Sequence, residues 1–298
     1  MIVILIPAMV NLREARKEFI EYLEDENRAE ATVLAYGTDI RQLIEFVEDN
    51  DGKEDPKELI YDDLTGYLDD LREQDYTKKS ISRKINSIRT FFDFLQQKGY
   101  VSSDPSEKLT HPKIEPKPPN ILSETEYRAL RDACRNDERM YAIVELLLQT
   151  GIRIGELREI RLEDVHFTEN GKGTLHIRPS HRKQARDIPL NQRAQQAIKD
   201  YLEVRPEANT DILFVTRPGN PYLIRNIRAA MKRYFKKAGM PDATVNDLRR
   251  TFVAHQLKNG TDVTYISKIV GHKRLTSTEK YLQYIERPEE ETQELEEL

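Results

Sequence analysis

Residues 246–284 read NDLRRTFVAHQLKNGTDVTYISKIVGHKRLTSTEKYLQY, and a second phrase, TGIRIGEL at 150–157, belongs with them. The first stretch divides into a helix (LRRTFVAHQLKNG), a stop at Gly260 and a second, shorter helix (VTYISKIVG). Arg249, His272 and Tyr281 lie along it, and Arg153 lies in the distant phrase. These side chains suit attack on a phosphodiester. A guanidinium is a planar fork that grips two phosphate oxygens and stays charged at any working pH. Histidine exchanges a proton near neutrality. A tyrosine hydroxyl becomes a covalent nucleophile once its proton is drawn off.

Spacing carries the specificity. His272 precedes Tyr281 by nine residues, in GH followed by KRLTSTEKY, and Arg249 precedes His272 by 23. With Arg153 and Glu156 in TGIRIGEL, this pattern resembles the tyrosine recombinase (phage integrase) family, and within it the Xer-like branch. That family shows an arginine in TGxRxxEL, a lysine in a β-hairpin, HxxR, then GH and a tyrosine nine residues on. One position departs: Asn246 stands where the family has the first His of HxxR. Tyrosine at helical spacing is usually a core or rim residue, and Tyr284 lies only three residues further on. The distance from GH alone singles out Tyr281.

Composition sets the outer bounds. A chain of 298 residues accommodates two domains with substantial cores. Its single cysteine, Cys134, excludes a disulfide framework and fits a reducing cytoplasm. The opening MIVILIPAMV is apolar for about ten residues, roughly half a bilayer span, and lacks a basic n-region. It reads as a terminal segment, neither membrane anchor nor signal peptide. Net charge is −5, but its distribution is uneven. Residues 11–75 carry 8 basic and 21 acidic side chains, a net of −13; residues 77–100 are +5 and residues 178–250 are +9. Either basic block alone is equally a solvated helix face. Together, beside the Arg, His and Tyr set, they point to nucleic acid.

Residues 11–101 form the first domain, four helices at LREARKEFIEYLEDE, ATVLAYGTDIRQLIEFVEDN, LIYDDLTGYLDDLREQ and YTKKSISRKINSIRTFFDFLQQKGY. The last has a cap at Thr77, a stop at Gly99 and an apolar stripe of Ile81, Ile85, Ile88, Phe92 and Leu95. Lys78, Lys79, Arg83, Lys84 and Arg89 are assigned to its other faces, against DNA. The arrangement looks like the core-binding domain of the recombinase family. A plain four-helix packing module explains the same pattern, so the DNA assignment leans on the second domain. Residues 102–120, with five prolines, read as a semi-extended linker.

The second domain spans 121–288. It opens with a capping box, Ser123 and Glu126, and a buried helix DERMYAIVELLLQTG follows. Arg153 comes immediately after that helix, where a cation also serves simply as a cap, and Glu156 is one turn on, placed to orient the guanidinium. LEDVHF, TLHIRP and ARDIPL read as a small antiparallel sheet. The fold class is therefore mainly α with a small antiparallel β-sheet (α+β) in the C-terminal domain, and the resemblance implies a two-domain DNA clamp. In the family a lysine occupies the turn between the second and third strands. Counting back from IPL puts it near His181, beside Arg182 and Lys183; Lys183 is taken as that lysine and Arg182 as a DNA contact. Lys172 in NGKG belongs to the preceding turn. Further helices cover 191–204 and 220–238, the latter bearing Arg225, Arg228, Lys232 and Arg233 for the phosphate backbone. The tail 289–298 holds six Glu and no base. It is either solvated or, through Leu295 and Leu298, a segment docking on a neighbouring subunit.

The resemblance implies a mechanism. Tyr281 attacks the scissile phosphate, forming a 3′-phosphotyrosyl bond and freeing a 5′-hydroxyl. Arg153 and Arg249 hold the non-bridging oxygens, Lys183 protonates the leaving oxygen, and His272 bonds the phosphate or helps deprotonate Tyr281. Asn246 positions the phosphate without moving a proton. No cofactor is implied, neither ATP nor metal. The partners implied are double-stranded DNA with specific core sites and further copies of the chain, four in the strand-exchange complex, in the cytoplasm. A DNA-binding regulator that keeps the fold, and a type IB DNA-relaxing enzyme sharing the chemistry, are the competing readings.

Overall fold

The computed structural model describes residues 10–168, 170–180 and 184–285. The sequence readings of the opening MIVILIPAMV (except its last residue), of Arg182 and Lys183, and of the acidic tail fall outside those residues. Two compact units divide between Pro116 and Lys117. Among the described residues no helix is long and apolar enough to cross a membrane.

The first unit is built on α1 (Leu12–Asp25), α2 (Glu30–Asp51), α3 (Tyr61–Glu73) and α4 (Lys78–Gln97). Asn11 and Glu14 close a capping box on α1, and Thr77 caps α4 by accepting from the Ser80 amide. Fully buried Phe19, Leu43, Leu64, Phe91, Phe92 and Phe94 fill the space between the helices. Phe19 meets the edge of Phe91 with ring centroids 5.2 Å apart.

Two basic residues of α4 depart from their expected role. Lys84 is not on a DNA face: it is 1 % exposed. One helical turn separates positions 81, 84/85 and 88, so Lys84 shares the inward stripe. Its ammonium is matched there by Asp39 of α2 at 3.0 Å, and it also donates to Gln42 and to the Tyr67 hydroxyl. Asp39 further receives Arg83 and the Ser87 hydroxyl. Arg89 is half-buried and donates to the carbonyls of Ser106, Glu107 and Leu109. The proline-rich stretch is consequently ordered at its start. Pro105–Lys108 make a 3-10 turn and Leu109 is buried in the first core, because Arg89 satisfies backbone that a free linker leaves to water. Lys78, Lys79 and Arg83 remain exposed.

In the second unit α5 (Glu124–Cys134) and α6 (Glu138–Thr150) lead to a short α7 (Ile154–Glu159). The sheet follows as β1 (Val165–Phe167), β2 (Gly173–Ile177) and β3 (Arg186–Leu190), antiparallel in the order β1-β2-β3. Next come α8 (Gln192–Val204), α9 (Ile224–Lys237), α10 (Val245–Lys258), α11 (Val263–Val270) and α12 (Thr276–Glu279). α6 is buried on nearly every face, and its one interior charge, Glu145, is held by Arg131. α9 turns Ile227, Met231 and Phe235 inward and leaves Arg225, Arg228, Lys232 and Arg233 exposed.

Candidate active site

Two glycines set the stage. Gly151 ends α6 at φ 61°, and a Cβ there would stand 2.4 Å from Cδ1 of Phe252 on α10, so the helix end closes directly on α10. Gly271 ends α11 at φ 67°, a left-handed conformation that favours glycine. Its turn leaves the last carbonyls of α11 facing inward, and three arginines converge on them. Arg153 donates to Val270 O at 3.2 Å and Gly271 O at 3.0 Å. Arg249 donates to Val270 O at 2.8 Å and to Gly151 O. Arg186, the first residue of β3, donates to Ile269 O at 2.7 Å.

The cap reading of Arg153 is thereby relocated. Arg153 is itself the N-cap residue of α7, and its guanidinium covers the C-terminus of α11. Arg249 is the one that reaches the end of α6. Both helix ends present partial negative charge, which favours cations beside them.

Glu156 joins the arginines. Its carboxylate accepts from the Arg153 amide at 2.9 Å, from Arg153 Nη1 at 3.2 Å, and from the Arg186 fork at 3.2 and 2.9 Å. Burial alone would raise the Glu156 carboxyl, but the Arg186 bonds, the Arg153 amide and both charges hold it down at about 2. Burial and the neighbouring Arg153 push Arg249 down to about 10, still protonated at neutral pH. Carbonyl dipoles satisfy much of the guanidinium geometry without cancelling its charge. Positive charge is thus kept for an anion, and a phosphate diester fits that demand.

His272 follows Gly271 directly, and its Nδ1 lies 2.7 Å from the hydroxyl of fully buried Thr278. Burial, then Arg249 and Arg153, push the imidazole down to about 4, so it is neutral at physiological pH. Tyr281 is 6 % exposed. Burial raises its phenol, while Arg250 and Arg249 pull the other way. Arg250 is held by Asp247 at 2.6 Å. Tyr284 ends the 3-10 turn after Tyr281 and is 39 % exposed. Asn246, at the start of α10, is exposed. The structure therefore brings together Arg153, Glu156, Arg249, His272 and Tyr281. Lys183 lies outside the described residues.

Arg186 was not singled out by the sequence. A signal was there: in ARDIPL the alternation puts positions 186, 188 and 190 on one strand face, with Ile188 and Leu190 buried. A charged residue in that register demands a buried partner, and Glu156 is that partner.

A half-buried set of arginines beside a neutral histidine and a tyrosine has the chemistry that phosphoryl transfer requires. Comparison with known proteins gives the family. The phage integrase family model matches residues 120–286, and the phage integrase N-terminal SAM-like domain matches residues 17–99. Tyrosine recombinase XerC of Oceanobacillus iheyensis is 30 % identical over 278 residues, covering 88 % of this chain and 89 % of that protein. XerC of Staphylococcus epidermidis is 32 % identical over 265 residues, covering 86 % and 88 %. Among solved structures, XerA recombinase is similar at 28 % identity, with a TM-score of 0.52 and coverage of 91 % and 93 %. A lambda integrase dimer bound to a COC′ core site shares the fold at 15 % identity and TM-score 0.76, covering 95 % and 81 %. The chain belongs to the phage integrase family: it is a site-specific tyrosine recombinase, an enzyme of DNA strand exchange.

Proposed function

We propose that this recombinase acts in the cytoplasm on duplex DNA carrying specific core sites, with four copies assembled for strand exchange, and that Tyr281 is its nucleophile. The observation that carries the reading is the convergence of Arg153 and Arg249 on the carbonyls of α11, immediately before His272. Such a cradle binds the two non-bridging oxygens, whose charge grows in the transition state. Tyr281 starts as a neutral phenol because burial raises it. Attack therefore needs its proton removed as the phosphorus–oxygen bond forms. Neutral His272 takes that proton on Nε2 when Nδ1–H donates to Thr278, the tautomer the 2.7 Å contact permits. The bond to the 5′-oxygen breaks and Lys183 supplies its proton. Asn246 contributes a hydrogen bond to the phosphate. Lys78, Lys79 and Arg83 on α4, and Arg225, Arg228, Lys232 and Arg233 on α9, are exposed for the phosphate backbone. Related proteins have been seen with such partners: lambda integrase as a tetramer on a Holliday junction, and XerH on its difH substrate.

The test is covalent trapping on nicked suicide duplexes taken from DNA flanking the gene. An SDS-resistant adduct mapping to Tyr281 by mass spectrometry, and lost in Tyr281→Phe, is the expected result. Specific binding without an adduct, even with Asn246→His, would overturn the catalytic assignment.

A further inference from the structure

Arg186 opens β3 on the hairpin side of the site, three residues after Lys183 in sequence. Its side chain is 8 % exposed and makes three bonds: Nε to Ile269 O at 2.7 Å, and the fork to both Glu156 oxygens. One of these partners, Glu156, also holds Arg153, and the other lies beside carbonyls that do. Glu156 accepts from the Arg153 amide and guanidinium, and the adjacent α11 carbonyls accept from its Nη atoms. Arg186 is therefore the tie between the two walls of the Arg153 cradle, one on α7 and the other at the end of α11. Gly271 confirms how closely the tie fits: a Cβ there would stand 3.1 Å from the Arg186 guanidinium.

We infer that Arg186 is a positioning residue for the cleavage reaction, fixing the carboxylate and the helix end that aim Arg153, and joining β3 to both. The inference rests on the reading that Arg153 binds the scissile phosphate. Without Arg186, Glu156 and Ile269 O lose their shared donor in a buried place. Arg153 is then free to draw fully onto Glu156, as an ion pair, and away from the phosphate position. A lysine cannot replace the fork, since one ammonium does not span two carboxylate oxygens and a carbonyl in this geometry.

The experiment is single-turnover adduct formation on a suicide duplex, with Arg186→Gln made in the unaltered enzyme and in Arg153→Ala. Duplex affinity and the thermal unfolding midpoint are measured alongside. Outer partners that orient a functional group typically matter by about 10–100-fold, and a fall of that size is expected in the unaltered enzyme with affinity nearly unchanged. In Arg153→Ala the same substitution should change the rate by less than about 2-fold, because the residue it positions is gone. An equal loss in both backgrounds, or no loss in the first, overturns the inference. Should Arg186→Gln fail to fold, Arg186→Lys carries the same cycle. An Arg153→Ala rate equal to the unaltered enzyme would instead overturn the assignment of Arg153.

Discussion

Replacing Thr278 with valine tests how His272 works. Thr278 is fully buried, and its hydroxyl is 2.7 Å from His272 Nδ1. Valine keeps the shape and removes the oxygen. Leaving a buried polar atom unpartnered costs about 1–3 kcal/mol. His272 is only half-buried, so water recovers part of this, and about 1–2 kcal/mol is the working figure. Expressed only in the transition state, that is a fall of about 5–30-fold in the cleavage rate. The pH profile adds a second readout. His272 is pushed down to about 4, so the neutral form persists through the ordinary histidine range, and cleavage that uses it fails only as pH falls through about 4. The stability linkage has the same sign: a depressed folded value gives stability that is complete above the unfolded value of 6.5 and is lost as pH falls from there through about 4. In Thr278→Val, water reaching the ring should move the acid limb of activity upward toward 6.5. Adduct formation from pH 4 to 9 under single-turnover conditions reads both effects. An unchanged rate and profile in Thr278→Val, or the same proportional loss in a His272→Ala background, would refute the reasoning.

Two further outcomes follow from particular placements. Asn246 is exposed at the start of α10, and an amide there does no proton transfer, so Asn246→His should leave adduct formation intact or faster; complete loss of activity would sink that role. Lys84→Met removes the buried partner of Asp39 but leaves Arg83 and Ser87 on the carboxylate, so unfolding of the first unit should weaken by about 2–4 kcal/mol, slightly less than for a pair broken outright. Chemical denaturation measures it. Unchanged stability with weaker DNA binding and a shallower salt dependence would place Lys84 on phosphate after all.

Helix positions, the sheet and the residues that gather in the candidate site were legible because each rests on local signals. Caps, glycine stops and the change of period from 3.6 to 2 are read over a few residues. The spacing from GH to Tyr281 is likewise fixed by one turn and one short helix. Lys84 and Arg186 were misjudged or missed for one common reason. Each occupies a position that its own periodicity assigns to the apolar face, and each was read by its charge instead. The partners that make burial tolerable, Asp39 for Lys84 and Glu156 for Arg186, stand 45 and 30 residues away in sequence.

A charged side chain in an inward register is therefore informative in itself: desolvation is costly enough that the fold must supply a partner nearby. In the first unit the partner yields packing, a polar bolt between α2 and α4. In the second the same rule builds the candidate site, because the partners are a carboxylate and the end of a helix already engaged by Arg153. What separates the two cases is charge balance. Asp39 faces Lys84 and Arg83 with further neutral donors, and Lys84 is sealed from solvent; around Glu156 three guanidinium groups lean on carbonyl dipoles, with Arg153 still 32 % exposed. Dipoles orient cations without neutralising them, so the second cluster retains positive charge at an accessible edge. That surplus is what a phosphate diester, gaining negative charge during the proposed attack by Tyr281, would meet.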